Sequence, residues 1–138
     1  MAVLVTSLVG CGQDSDNYDL NGKPINFSEL QGKWFVINYF ADWCGSCVDQ
    51  IENLNQLHQS GITVFGVDFD GHTSNELRKI ADAKNIKYPV LAVNPKEKFG
   101  IGEVNSIPVM FLVNPEGKIV KEITGLRTKE ELMLAMQE

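Results

Sequence analysis

The sequence predicts an α/β domain with a central sheet flanked by helices, and three observations carry that prediction. The runs Trp34–Phe40, Ile62–Val67 and Val109–Val113 are almost wholly aliphatic, aromatic or β-branched, as expected of strands covered on both faces. Segments with apolar residues three and four apart, two of them opened by a Thr-x-x-Glu signal, lie between or after these runs. Their order is β-α-β-α and then β-β-α, that of a layered α/β sandwich.

Ahead of this core, Ala2 to Gly10 form an apolar stretch ending in small residues, followed by Cys11. The tetrad Leu8-Val9-Gly10-Cys11 resembles the lipobox of bacterial lipoproteins, where a peptidase cuts before a cysteine that carries the lipid. Small residues let the peptidase approach, and the thiol accepts the diacylglycerol. Residues 1–10 are therefore expected to be a lipoprotein signal peptide. Residues 11–17 are polar, without an apolar period, and read as a flexible tether. Residues 18–138 remain as one domain. The competing reading is an apolar N-terminus with an incidental cysteine.

Within the domain, Asn21-Gly22 between apolar positions signals an N-terminal β-hairpin extension. Asn26 or Ser28 is placed to cap a short helical turn around Glu29–Gln31, closed by Gly32. After the first buried strand, Cys47, Ile51, Leu54 and Leu57 mark one face of a helix from about Cys44 to Gln59, stopped by Gly61. After the second, Thr73 and Glu76 form a capping box for a helix bearing Leu77, Ile80 and Ala81 on one face. Tyr88–Val93 reads as a short extended run and Lys96–Gly100 as a brief helix. Beyond the third strand, Asn114-Pro115-Glu116-Gly117 is a turn with proline presetting φ. Lys118–Thr124 alternates polar and apolar residues, a half-exposed strand antiparallel to its predecessor. Thr128 and Glu131 form a second capping box, opening a last helix with Leu132, Ala135 and Met136.

Composition narrows the function. The 138 residues are 43% hydrophobic and 22% charged, which suits one globular domain and excludes wholesale disorder. Twelve Lys and Arg against eighteen Asp and Glu leave a net charge of −6, unsuited to nucleic-acid backbones. No apolar run reaches the length of a transmembrane helix. Three cysteines are too few for a disulfide scaffold or a closed all-thiolate zinc site.

The chemistry concentrates in Trp43-Cys44-Gly45-Ser46-Cys47, where a buried strand hands over to a helix. A helix N-terminus presents free N–H groups and the positive dipole end, which favour a thiolate at Cys44. Two intervening residues bring both sulfurs within disulfide reach on the first turn. Cys44 is expected to be the exposed attacking thiol and Cys47 the buried resolving thiol. Half a zinc site and a coincidental pair are the competing readings. Ile107-Pro108 is the second signal, because proline directly before a buried strand donates no ladder bond. A cis bond there would turn the chain against the site, while a trans loop proline is the plainer alternative.

Phe40-Ala41-Asp42-Trp43-Cys44-Gly45-Ser46-Cys47, with Ser106-Ile107-Pro108 ahead of a terminal β-β-α, resembles the thioredoxin fold. The Asn-Gly hairpin, Phe27–Lys33, Val67-Asp68-Phe69-Asp70 and Phe111–Lys118 resemble the TlpA/ResA-like branch, tethered extracytoplasmic thiol–disulfide oxidoreductases, many of which serve cytochrome c maturation. The resemblance spans roughly Tyr18 to Glu138. It implies a cis Pro108, an extended substrate segment paired with the backbone at Ile107, no cofactor and no metal. Trp43 is expected to pack beside the disulfide, where substrate binds.

Two departures concern proton transfer. Thioredoxins bury an aspartate six residues before the first cysteine, where this chain has Asn38. The cytochrome-maturation branch often carries glutamate three residues after the second cysteine, where this chain has Gln50, on the Cys47 side of the helix. Amides take no proton near neutral pH. The plain readings are that Asn38 satisfies a strand and Gln50 is solvated. Val109 and Met110 stand where some cytochrome-specific members are acidic.

The sequence thus predicts a periplasmic or other extracytoplasmic oxidoreductase, tethered to a bacterial membrane by lipidated Cys11 and reducing protein disulfides. Apocytochrome c is a candidate substrate, and a membrane electron donor is required for recycling. The alternatives are a disulfide-introducing oxidant and a copper carrier using the two cysteines with His72. His58 and His72 otherwise read as surface residues.

Overall fold

The computed structural model describes residues 16–137; the expected signal peptide, Cys11 and most of the expected tether lie outside the described residues. The order is β1 (Asn17–Tyr18), β2 (Pro24–Ile25), a 3-10 turn (Phe27–Leu30), β3 (Phe35–Phe40), α1 (Gly45–Gln59), β4 (Thr63–Asp68), α2 (Ser74–Ala83), α3 (Lys96–Phe99), β5 (Val109–Val113), β6 (Ile119–Thr124) and α4 (Lys129–Ala135). The main sheet runs β4-β3-β5-β6, with β3 parallel to β4 and antiparallel to β5, and β5 antiparallel to β6. This is the mixed sheet of the thioredoxin fold, and β1 and β2 form the separate N-terminal hairpin.

Alternation along β3 divides the core. Phe35, Ile37 and Tyr39 join Phe65, Val67, Phe111 and Phe27 on one face, over which Phe99 and Ile101 also pack. Val36 joins Val64, Met110 and Leu112 on the other, beneath Ile51, Leu54 and Leu57 of α1 and Leu132 and Met136 at α4. All six β3 residues are buried, as a run apolar except for Asn38 predicts. The exterior strand β6 alternates half-buried and exposed residues.

Helix termini follow the local chemistry. Thr73 accepts from the Glu76 N–H while the Glu76 carboxylate accepts from the Thr73 N–H, completing the expected box. At α4 only half the box forms: Thr128 accepts from the Glu131 N–H, and its hydroxyl donates to the Glu131 carboxylate. The 3-10 turn departs from expectation. Neither Asn26 nor Ser28 caps it; the Phe27 N–H donates to Asp16 Oδ2, 2.8 Å away and distant in sequence. Asn17, at the end of the expected tether, is buried in β1 and holds both the N–H and the carbonyl of Val93 through its amide.

The run after α2 forms isolated bridges rather than a full strand. Val90 pairs in parallel with Gly66 at the edge of β4, and Leu91 pairs with Asp19. His58 finishes the same edge, its Nδ1 accepting from the Val64 N–H at 3.1 Å. The exposed sheet edge is thereby closed. His58 is half-buried with a structural task, not a free surface residue, and desolvation holds its pKa below the ordinary histidine value.

Candidate active site

The site forms where β3 ends and α1 begins. Cys44 is the N-cap of α1, with extended backbone, and its Sγ accepts from the Cys47 N–H at 3.2 Å. Sulfur thus occupies the place that a serine or aspartate oxygen takes in an ordinary cap. No acidic residue lies in the first turn to oppose negative charge there. Cys44 and Cys47 are joined as a disulfide with Cα atoms 5.2 Å apart. Cys47 has no exposure, and Cys44 keeps 8%. The expectation of an openly exposed Cys44 is corrected: the same cluster of Leu20, Phe40, Leu77 and Val90 that encloses Cys47 also covers most of Cys44.

The Ile107–Pro108 bond is cis. The Ile107 carbonyl oxygen lies 3.9 Å from Cys44 Sγ, while the half-buried Ile107 side chain packs between two core clusters. The Ser46 hydroxyl lies 3.5 Å from Cys44 Sγ. Trp43, next to Cys44 in the chain, is held by the end of β4. It is 65% exposed, its indole N–H donates to Asp70 Oδ2 at 2.8 Å, and its ring meets Phe69 edge to face. Strands β3 and β4 end at the same level, so residues just past each come together, a proximity that the two runs alone did not announce.

The amides divide in two. Gln50 is fully buried, not solvated: its Nε2 donates to the Arg127 carbonyl at 2.8 Å and its Oε1 accepts from the Arg127 N–H at 2.7 Å. It latches the segment before α4 onto α1. Asn38 lies on the β3 face that α1 covers, between Val36 and Phe40, fully buried, and both amide atoms lack a hydrogen bond. His72 groups with carboxylates. Its Nδ1 is 2.9 Å from Asp68 Oδ2, and it gathers with Asp42 and Asp70. The hydrogen bond to Asp68, then the surrounding carboxylates, raises its pKa.

A cleft of about 720 Å³ runs along the other face of the sheet, lined by Tyr39, Phe69, Asn94, Ile101 and Val104 among others. It contains neither cysteine, and Phe69 in its wall meets the Trp43 ring edge to face. At its floor the Tyr39 hydroxyl donates to Asn94 Oδ1 at 2.6 Å, and burial pushes the phenol up to about 12. Neither residue was singled out by sequence.

A paired disulfide at a helix N-terminus, beside a cis proline and on a four-stranded mixed sheet, defines a thioredoxin-fold thiol–disulfide oxidoreductase. The chain belongs to the AhpC/TSA family, whose model matches residues 12–122. It is 29% identical to the thiol-disulfide oxidoreductase ResA of Bacillus anthracis, over 88% of this chain and 73% of that protein. With ResA of Bacillus subtilis it shares 28%, over 86% and 69%. A thiol:disulfide interchange protein of Chlorobium tepidum superimposes with a TM-score of 0.73 at 25% identity, covering 87% of this chain and 88% of that one.

Proposed function

We propose that this enzyme is extracytoplasmic and membrane-anchored, and that it reduces protein disulfides with Cys44 attacking and Cys47 resolving. The observation that carries these roles is the asymmetry of the pair: Cys44 caps α1 and keeps a solvent-facing edge, while Cys47 has none.

In the reduced protein three features favour a Cys44 thiolate. They are the Cys47 N–H directed at Sγ, the Ser46 hydroxyl within reach, and the α1 dipole. The thiolate attacks one substrate sulfur; a Cys44–substrate bond forms, the substrate S–S bond breaks, and one substrate thiolate leaves. Cys47, one turn along α1, then attacks Cys44 Sγ, re-forms the internal disulfide and expels the second substrate thiolate. The two electrons delivered to substrate come from the Cys44–Cys47 dithiol, so a membrane electron donor must restore it. Ile107 and Pro108 align an extended substrate segment against Cys44, and exposed Trp43 supplies an aromatic contact for it.

The Leu8-Val9-Gly10-Cys11 tetrad supports lipidation of Cys11 and removal of residues 1–10, with the domain held at a bacterial membrane. An apocytochrome c bearing C-x-x-C-H is a fitting substrate. The test is turnover of a protein disulfide by the wild-type chain and by Cys44→Ser, with the reduction potential of the couple. Turnover that depends on Cys44, with a strongly negative potential, supports the reading. A potential near those of disulfide-introducing oxidants reverses the direction, and turnover retained by Cys44→Ser removes the role of Cys44.

A further inference from the structure

Four polar residues are buried among the described residues: Asn17, Asn38, Gln50 and Asn55. Three of them satisfy both ends of the amide on backbone. Asn17 holds Val93, Gln50 holds Arg127, and Asn55 donates to the Asn85 carbonyl and accepts from the Lys87 N–H. Asn38 is the exception, with neither Nδ2 nor Oδ1 bonded, and the buried Tyr88 hydroxyl is likewise unbonded. Buried polar atoms left without partners are costly and rare, and several in one place point to an internal water.

The two side chains belong to one place. Burial raises the Tyr88 pKa, and the neighbouring Asn38 amide offsets part of that rise, although the pair falls short of hydrogen-bond geometry. Asn38 is the register partner of Gly66 on β4. A Cβ on Gly66 would lie 3.2 Å from the Tyr88 ring, 3.2 Å from Phe40 and 3.3 Å from Val90. The missing side chain is therefore what lets Tyr88 lie across the sheet beside Asn38. Phe40 and Val90 also enclose Cys47. Tyr88 lines a surface cleft of about 190 Å³ whose charged groups are Asp19, Arg78 and Asp82.

We propose that Asn38 and Tyr88 hold one water molecule behind Cys47 and act with it as positioning residues, their N–H and O–H groups stabilising the Cys47 thiolate during resolution. The inference rests on Cys47 being the resolving cysteine. In that step the Cys47 S–H proton leaves along the water toward the cleft. The Cys44–substrate bond breaks as the Cys44–Cys47 bond forms, and the expelled substrate thiolate takes up a proton from solvent. Neutral donors thereby assist ionisation of a fully buried thiol. Cys47 clusters with Phe40 of β3, Leu77 of α2 and Val90 of the run after α2, and Phe40 and Val90 in turn meet Tyr88 around Gly66; the titrating groups along this path are Cys44, Tyr88 and, at the cleft, Asp19, Arg78 and Asp82.

The test is the ionisation of Cys47, read by ultraviolet thiolate absorbance in full-length Cys44→Ser, alone and combined with Tyr88→Phe or Asn38→Leu. The Phe variant keeps the ring and removes only the hydroxyl. At a fixed pH within the titration, the thiolate fraction is expected to fall at least threefold in each combination. Folded variants whose Cys47 titrates like the parent overturn the proposal, since a purely structural role changes stability and leaves this curve in place. If either substitution prevents folding, the other decides. If both do, a nuclear Overhauser contact between a long-lived water and the Tyr88 ring of the unaltered chain decides, and its absence overturns the proposal. Wild-type turnover tests the functional reading separately, so the two failures are distinguishable.

Discussion

Replacing Gln50 by glutamate converts a satisfied latch into a titrating one, and the structure dictates the sign. Gln50 donates to the Arg127 carbonyl and accepts from the Arg127 N–H while fully buried. In Gln50→Glu the neutral carboxyl reproduces both bonds, O–H to carbonyl and carbonyl oxygen to N–H. The ionised carboxylate keeps the second bond, strengthened by charge, but sets an acceptor against an acceptor and leaves a buried carbonyl unpaired. An orphaned buried partner costs about 1–3 kcal/mol, and the buried charge adds to it. With ~2–3 kcal/mol separating the two forms, at ~1.4 kcal/mol per pH unit, the folded carboxyl titrates roughly 1.5–2 units above the ordinary glutamate value. A pKa raised on folding means that the folded state keeps a proton the unfolded state has released. The variant's stability relative to wild type therefore falls as pH rises from ~4 through that raised value, then levels off. Denaturant unfolding of the oxidised proteins between pH ~4 and ~8 checks this. The difference should be small near pH ~4 and ~2–3 kcal/mol near pH ~7. A difference that does not vary with pH, or a variant more stable than wild type at neutral pH, refutes the reasoning. Because Gln50 lies three residues after Cys47 on α1, the same carboxyl becomes a base near the resolving thiol, and mixed-disulfide release at neutral pH should quicken.

Four other outcomes follow from the geometry. His58 must be neutral at Nδ1 to accept from the Val64 N–H, and its pKa is lowered on folding. Its contribution is fully present above pH ~6.5 and lost as pH falls below, so His58→Gln, which keeps an acceptor, should flatten that acid limb in pH-dependent unfolding. His72, with its pKa raised by Asp68, has the opposite sign, its contribution lost as pH rises through the raised value. Gly66→Ala should cost about 1–3 kcal/mol in the same assay, because its Cβ meets Phe40, Tyr88 and Val90 at 3.2–3.3 Å. In the reduced protein at mild pH, peptide mapping after brief alkylation should find the label on Cys44, and Cys47 labelled first would reverse the assigned roles.

Much of the fold was legible because its signals are local. Apolar runs, interrupted in β3 only by Asn38, announced β3 and β5, which are buried throughout, and the Thr73–Glu76 spacing announced the α2 box. The C-x-x-C spacing placed both cysteines on one turn. What sequence did not disclose depends on contacts distant along the chain. Asp16 caps a turn eleven residues on, Gln50 binds a peptide seventy-seven residues away, and Cys44 is covered by residues from several elements. Tyr88 looked like one more apolar strand residue, since its pairing with the Asn38 level becomes visible only once β3 and β4 are in register. The Trp43 contacts with Asp70 and Phe69 were hidden for the same reason, since they depend on β3 and β4 ending at one level.

Exchange through a mixed disulfide at Cys44, with Cys47 resolving it, is open to a trapping experiment. Reduced Cys47→Ser, mixed with a disulfide-bonded protein substrate, should accumulate a covalent adduct that mass mapping places on Cys44, while Cys44→Ser yields no such adduct and no turnover. Full turnover by Cys47→Ser without a trapped species, or an adduct carried by Cys47 in the wild-type chain, would contradict it.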